Sequence, residues 1–177
     1  MSKITVKENT ENQENKEKKD FFIPIVILVC ICSLLFNIFC FQLAFVNGSS
    51  MSPTMEEGQL LLINKIADVD TYERGDIIIF DVNGRKLIKR LIGLPGETIQ
   101  IIDNNIYINE NKINDYVNVD MEDYGCLENK TILAEDEYIL LGDNRNNSLD
   151  CRELGPVKEN NIIGKIIFRF IPLDTSF

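Results

Sequence analysis

The sequence predicts a mainly β domain of antiparallel strands carried behind one membrane-spanning helix. Three observations lead there. Residues 21–46 of the 177 contain no charged side chain, and about 20 apolar residues suffice to cross a hydrocarbon core. From residue 60 onward the apolar runs are short, rich in β-branched residues and bounded by turn signals. No long amphipathic helical period interrupts them. The roughly 130 residues after the apolar run can bury one adequate core.

Residues 1–20 alternate Lys3, Lys7, Lys16, Lys18 and Lys19 with five acidic side chains and have no hydrophobic period. They read as a disordered tail. The run 21–46 reads as a retained anchor, with Pro24 in the first turn, where it costs little. A cleaved signal peptide is the competing reading, but the run exceeds the length of such an apolar region. Five lysines precede the run and only Lys65 follows it closely. That asymmetry places the N-terminus in the cytoplasm and residues 47–177 outside.

The strands follow in order. Residues 60–64 form a short apolar strand. Arg74-Gly75-Asp76 turns the chain into a strand over 77–82, and Asn83-Gly84 is a type I′ hairpin signal returning it over 85–92. Leu94-Pro95-Gly96-Glu97 is a turn. Strands at 98–103 and 106–109 join around Asn104-Asn105. Residues 111–130 are polar and read as a surface insertion. A strand over 137–141 runs into Gly142-Asp143-Asn144, and 162–171 closes the domain.

Composition limits the chemistry. There is no histidine, which excludes Ser-His-Asp and Cys-His catalysis and His-ligated metal. A net charge of −10 argues against nucleic acid as a partner. No Cys-x-x-Cys pair occurs, so no metal is expected and no cofactor is implied. Cys126 and Cys151 can pair if they lie in an oxidising compartment and approach each other.

Three stretches carry candidate chemistry. Gly48 to Met55 reads Gly-Ser-Ser-Met-Ser-Pro-Thr-Met. It is a tight turn of hydroxyls beside backbone amides, suited to a nucleophilic serine or simply to a solvated juxtamembrane linker. Lys89 shares a strand face with Leu87 and Leu91. There it is either desolvated toward the pKa of a base or snorkelling at a sheet margin. Arg90 faces the other way and suits an ion pair, since guanidinium cannot act as a base. The loop from Gly142 to Arg152 is dense in polar groups. It suits a cation loop, a solvated loop, or a rigid support in which Asp–Arg pairs hold a serine and a lysine.

Ser50-Met51-Ser52-Pro53-Thr54, Arg74-Gly75-Asp76, Lys89-Arg90 with Gly93-Leu94-Pro95-Gly96-Glu97, and Gly142-Asp143-Asn144-Arg145 through Arg152 resemble, in order, the motifs of bacterial type I signal peptidase. The resemblance implies a serine–lysine peptidase of mainly β fold at the outer face of the cytoplasmic membrane. Its partners would be signal-peptide-bearing preproteins and the lipid bilayer. It implies Ser50 as nucleophile, Lys89 as general base, and Ser148 as the residue that hydrogen-bonds and orients the lysine amine. Asp143, Arg90, Asp150 and Arg152 would be supporting ion-pair residues.

Three positions depart from the pattern. Gly48 stands where some relatives carry an oxyanion-binding serine, as it does in Gram-positive-type members. Asn146 replaces an aspartate and Cys151 a serine. With no hydroxyl at 48, the oxyanion would rely on backbone N–H, chiefly that of Ser50. Gly48→Ser is then expected to keep activity unless the glycine is needed for a positive φ. Self-cleaving repressors use the same dyad on a related β scaffold, but they would not need the run 21–46, and no DNA-binding helices are expected before the β domain, so the anchor decides against them. A catalytically decayed membrane-anchored binding or assembly domain of the same fold is the alternative function.

Overall fold

The computed structural model describes residues 22–67 and 71–170. The N-terminal tail and Phe21 therefore lie outside the described residues, as does Ile171. The chain divides into two compact units, residues 1–40 and 41–177.

In the first unit, helix α1 (Phe22–Cys40) has 19 residues. At about 1.5 Å per residue it spans about 28 Å, close to the thickness of a hydrocarbon core. Its one amide side chain is satisfied within the helix, since Asn37 Nδ2 donates to Ser33 O at 2.8 Å.

The apolar run does not continue as helix to Val46. Phe41–Phe45 is strand β1, paired antiparallel with β2 (Leu60–Asn64) from Phe41↔Asn64 to Phe45↔Leu60. Phe-Gln-Leu-Ala-Phe alternates with period two, and β2 offers it a partner edge. Without a charge or a turn residue at the junction, the sequence hid this boundary.

The other strands are β3 (Ile77–Val82), β4 (Arg85–Gly93), β5 (Thr98–Ile102), β6 (Asn105–Ile108), β7 (Asn111–Lys112), β8 (Thr131–Ile132), β9 (Glu137–Leu141), β10 (Val157–Lys158) and β11 (Ile162–Phe170). Helix α2 is one turn, Cys151–Leu154. A seven-stranded sheet runs β1-β2-β11-β3-β4-β9-β10, and a four-stranded sheet runs β7-β6-β5-β8. All their pairings are antiparallel.

The β3–β4 hairpin turns at Asn83 and Gly84, both with positive φ, as a type I′ turn demands. The β5–β6 turn sits at Asp103-Asn104, one residue earlier than expected. Asp and Asn both tolerate the left-handed region there (φ 47° and 63°), which frees Asn105 to start β6.

The main core lies between the two sheets and includes Ile78, Phe80, Leu91, Ile99, Ile106 and Leu140. A smaller cluster of Val46, Met51, Met55 and Leu61 packs against Ile77, Ile88 and Ile166. It buries the turn that carries Ser50. On the far part of the large sheet, register places Leu43, Leu62 and Phe168 in one row and Phe45, Leu60 and Phe170 in the next. Leu43, Phe45, Phe168 and Phe170 are exposed there.

Candidate active site

Ser50 lies in the turn after β1. Met51 within that turn and Met55 just after it are buried and anchor it in the smaller core. Ser52 N donates to Ser49 O at 3.0 Å and Met55 N to Met51 O at 2.9 Å. Gly48 takes φ +90°, and a Cβ built on it would meet open space. The glycine is thus required by backbone conformation and not by crowding. The condition attached to Gly48→Ser fails, and the substitution is strained. The Ser50 amide makes no backbone hydrogen bond among the described residues, which leaves it free to donate to an oxyanion.

Lys89 is pinned in β4 opposite Ile78. Its side chain is 1% exposed, and its Nζ lies 2.6 Å from Ser50 Oγ in a hydrogen bond. Burial lowers its pKa from 10.5 to about 8, against the opposing charges of Asp150 and Asp143. Arg90 leaves the strand toward another partner. Its Nε and Nη2 donate to the two carboxylate oxygens of Asp143 at 2.8 and 2.6 Å, and its Nη1 donates to Gly75 O at 2.8 Å. The Asp143 hydrogen bond raises the Arg90 pKa further.

The loop after β9 is built on two buried carboxylates. Asp143 pairs with Arg90. Asp150 caps α2 by accepting from Arg152 N, and it takes Arg152 Nε and Nη2, each at 2.9 Å. Its Oδ2 also accepts from Gly142 N at 2.9 Å, while Arg145 Nε donates to Gly142 O at 3.0 Å. Gly142 is thereby held on both sides of its backbone.

The loop then grips the serine turn. Asn144 N donates to Ser50 O at 3.0 Å. Asn144 Nδ2 donates to Ser49 O, and Asn147 Nδ2 to Ser49 Oγ, both at 3.1 Å.

One expected contact is not made. Ser148 Oγ is buried and has no hydrogen-bond partner among the described residues, so it does not bond to the Lys89 amine. The amine is turned to Ser50 instead. Cys126 and Cys151 are both free. Cys126 Sγ donates to the Cys151 carbonyl at 3.2 Å, and the Cys151 thiol, pushed up to about 12 by burial, accepts from Leu140 N. Asn146 bridges to Asp120 O and Glu122 N, a role its amide fills with one donor and one acceptor.

The sequence reading missed Asn144, Arg145 and Asn147 as individual contacts, although their motif was visible. It missed Asp115 and Tyr116 altogether, because nothing in the polar segment 111–130 marks them. Asp115 forms an ion pair with the buried guanidinium of Arg145, and Tyr116 lies over Arg90.

A groove of about 260 Å3 opens beside the pair. It is lined by Phe45, Val46, Gly48, Met51, Ile79, Leu87 and Ile88 as well as Ser50 and Lys89. β9 pairs with β4 only over Arg90–Gly93, while β3 covers its other edge. Among the described residues, the edge of 85–89 on the β9 side therefore has no strand partner, and residues 86–89 line the groove. In chemical terms this is a hydroxyl held by a buried amine, beside a free amide and an apolar slot.

Comparison with known proteins gives a consistent result. The family model described as signal peptidase, peptidase S26, matches residues 18–171. Signal peptidase I T of Bacillus subtilis is 34% identical, over 97% of this chain and 97% of its own length. Signal peptidase I of Bacillus caldolyticus is 36% identical over 90% of this chain and 94% of its own. A crystal structure of a signal peptidase I from Enterococcus faecalis matches with 33% identity and a TM-score of 0.47. It covers 55% of this chain and 97% of that one.

Proposed function

Because the chain belongs to the signal peptidases of family S26, a group of membrane-anchored serine peptidases that cleave signal peptides, we propose that it works through Ser50 as nucleophile and Lys89 as general base. The observation that carries this is the 2.6 Å contact between Lys89 Nζ and Ser50 Oγ, with the amine buried. In neutral form Lys89 takes the Ser50 proton as Oγ attacks the scissile carbonyl. The protonated amine then gives that proton to the leaving amine. Water, deprotonated by the same lysine, hydrolyses the acyl-serine and frees the new C-terminus. The Ser50 N–H stabilises the oxyanion in both steps. Asp143, Arg90, Asp150 and Arg152 hold the loop that fixes the serine turn, and Ser148 orients the amine as substrate arrives.

The substrates are preproteins carrying signal peptides. Their cleavage segment docks as an extended strand on the free edge of β4, with alternate side chains entering the apolar slot. Small residues are expected one and three positions before the cut. The polar faces of residues 41–177 lie outside the cytoplasmic membrane, with the N-terminus in the cytoplasm. The exposed rows around Phe45 and Phe168 on β1 and β11 rest against lipid. In support of this, β1 follows α1 without an intervening residue, and the apolar rows would otherwise face water.

A decayed binding domain is not favoured, since the nucleophile and the base are both retained and in contact. The test is cleavage of a fluorogenic peptide spanning a signal-peptide junction by the full chain in detergent, with Ser50→Ala as control. Cleavage at the junction, abolished in the variant, is expected. Equal rates for the two proteins would refute the assignment.

A further inference from the structure

The polar segment that follows β7 reaches the site from the side. Both Nη atoms of Arg145 donate to the Asp115 carboxylate, and Arg145 Nε reaches Gly142 O. The ring of the next residue, Tyr116, covers Arg90, with 5.0 Å between Cζ and the ring centroid. Tyr116 Oη donates to Arg74 O at 2.8 Å, and its ring lies so close to Gly75 that a Cβ there would come within 2.6 Å of it. Gly75 O in turn accepts from Arg90 Nη1. Adjacent residues thus hold the two arginines that position Asp143 and Gly142, and neither residue bonds to Ser50 or Lys89.

We infer that Asp115 and Tyr116 form a clasp that positions the catalytic pair, Asp115 through Arg145 and Tyr116 through the Arg90–Asp143 ion pair. This rests on the serine–lysine reading above. The aromatic face attracts the guanidinium and excludes water from one side of it. Gly75 O fixes another edge, so Arg90 keeps its fork aligned with a carboxylate that is wholly buried.

The charged and titratable groups that act on Lys89 are Asp150, Cys151, Asp143 and Arg152. Without the ring, Arg90 hydrates and its hold on Asp143 loosens. More of the Asp143 charge is then felt at Lys89, which favours the protonated amine. The acid limb of the activity profile moves to higher pH.

Asp115 is the less useful position to change, because Arg145 is buried and would be left an unpaired charge, and the loop would fail with it. Tyr116 is half-exposed and can be replaced without that damage. The experiment measures kcat and KM of the full chain in detergent from about pH 6 to 10, on the fluorogenic peptide, for wild type, Tyr116→Phe, Tyr116→Leu and Ser50→Ala. Tyr116→Phe keeps the ring and should keep the wild-type midpoint. Tyr116→Leu should move the midpoint up by about half a pH unit, lowering kcat/KM about threefold below it and rejoining wild type on the alkaline plateau, with KM unchanged. A general loss of folded enzyme would lower the curve at every pH and leave its midpoint in place. A wild-type midpoint in Tyr116→Leu, with normal or uniformly reduced activity, overturns the clasp. Activity in Ser50→Ala overturns instead the reading on which the clasp depends.

Discussion

Gly142→Ala tests whether the loop after β9 and the serine turn form one mechanical unit. Gly142 does not need a positive φ, so alanine suits its backbone and the effect is steric. An added Cβ would lie 2.0 Å from Ser148 Oγ, 2.5 Å from Ser148 Cβ and 2.7 Å from Ser50 O. Contacts between such atoms are comfortable near 3.5 Å, so these neighbours must retreat by roughly 1 Å. The Ser148 hydroxyl can rotate away, but its Cβ and the Ser50 carbonyl move only with their backbones. Gly142 itself cannot yield cheaply, because Asp150 holds its N–H and Arg145 its carbonyl. The serine turn therefore gives way. A displacement of about 1 Å at a catalytic group costs on the order of 100-fold in rate, and overpacking of this kind costs about 1–3 kcal/mol of stability. The assay is kcat/KM on the fluorogenic peptide at saturating pH, with thermal unfolding followed by circular dichroism. Folded Gly142→Ala with kcat/KM within about twofold of wild type would refute the locked geometry.

The other predictions concern Gly48, Ser148 and the stability cost of Lys89. Gly48→Ser should lose activity and about 1–2 kcal/mol of stability through its positive φ, although the side chain has room. Kinetics and denaturant unfolding on that variant together check this. Ser148→Ala removes a buried hydroxyl that has no partner. It should raise Tm slightly and, under the orienting role proposed for it above, lower kcat. A fall in Tm would show that it is satisfied in solution. Lys89→Met should stabilise the protein at neutral pH. The fall in pKa from 10.5 to about 8 corresponds to about 3 kcal/mol, from which the lost contact with Ser50 subtracts. Between about pH 8 and 10.5 the unfolded chain binds the proton and the folded chain does not, so wild-type stability rises with pH through that window. The advantage of Lys89→Met in chemical denaturation should shrink over the same window.

Much of this was legible in the sequence for identifiable reasons. β3 and β4 carry β-branched runs around Asn-Gly, a turn that only one hairpin geometry suits. Lys89 could be placed between leucines because side chains alternate along a strand. β1 was not legible, since the uncharged Phe-Gln-Leu-Ala-Phe after an apolar helix looks the same whether it continues that helix or pairs with β2 further along the chain. The resemblance named Arg90, Asp143, Asp150 and Arg152 as ion-pair residues but not who pairs with whom, and the pairings Arg90–Asp143 and Arg152–Asp150 come from the fold. The contacts of Asp115 and Tyr116 join segments about 30 and 26 residues apart in sequence, and local pattern does not reach across a fold. The state of the Ser148 hydroxyl depends on side-chain angles that sequence does not encode locally.

The central claim is that a buried, deprotonated Lys89 activates Ser50. The most direct test is the pH dependence of kcat/KM for wild type and Lys89→Arg in detergent. Wild type should rise along a single deprotonation with a midpoint at about 8. Lys89→Arg keeps the positive charge but cannot release its proton near neutrality, so it should be inactive at every pH tested. Substantial cleavage by Lys89→Arg, or a wild-type rate that ignores pH through this range, would contradict the mechanism.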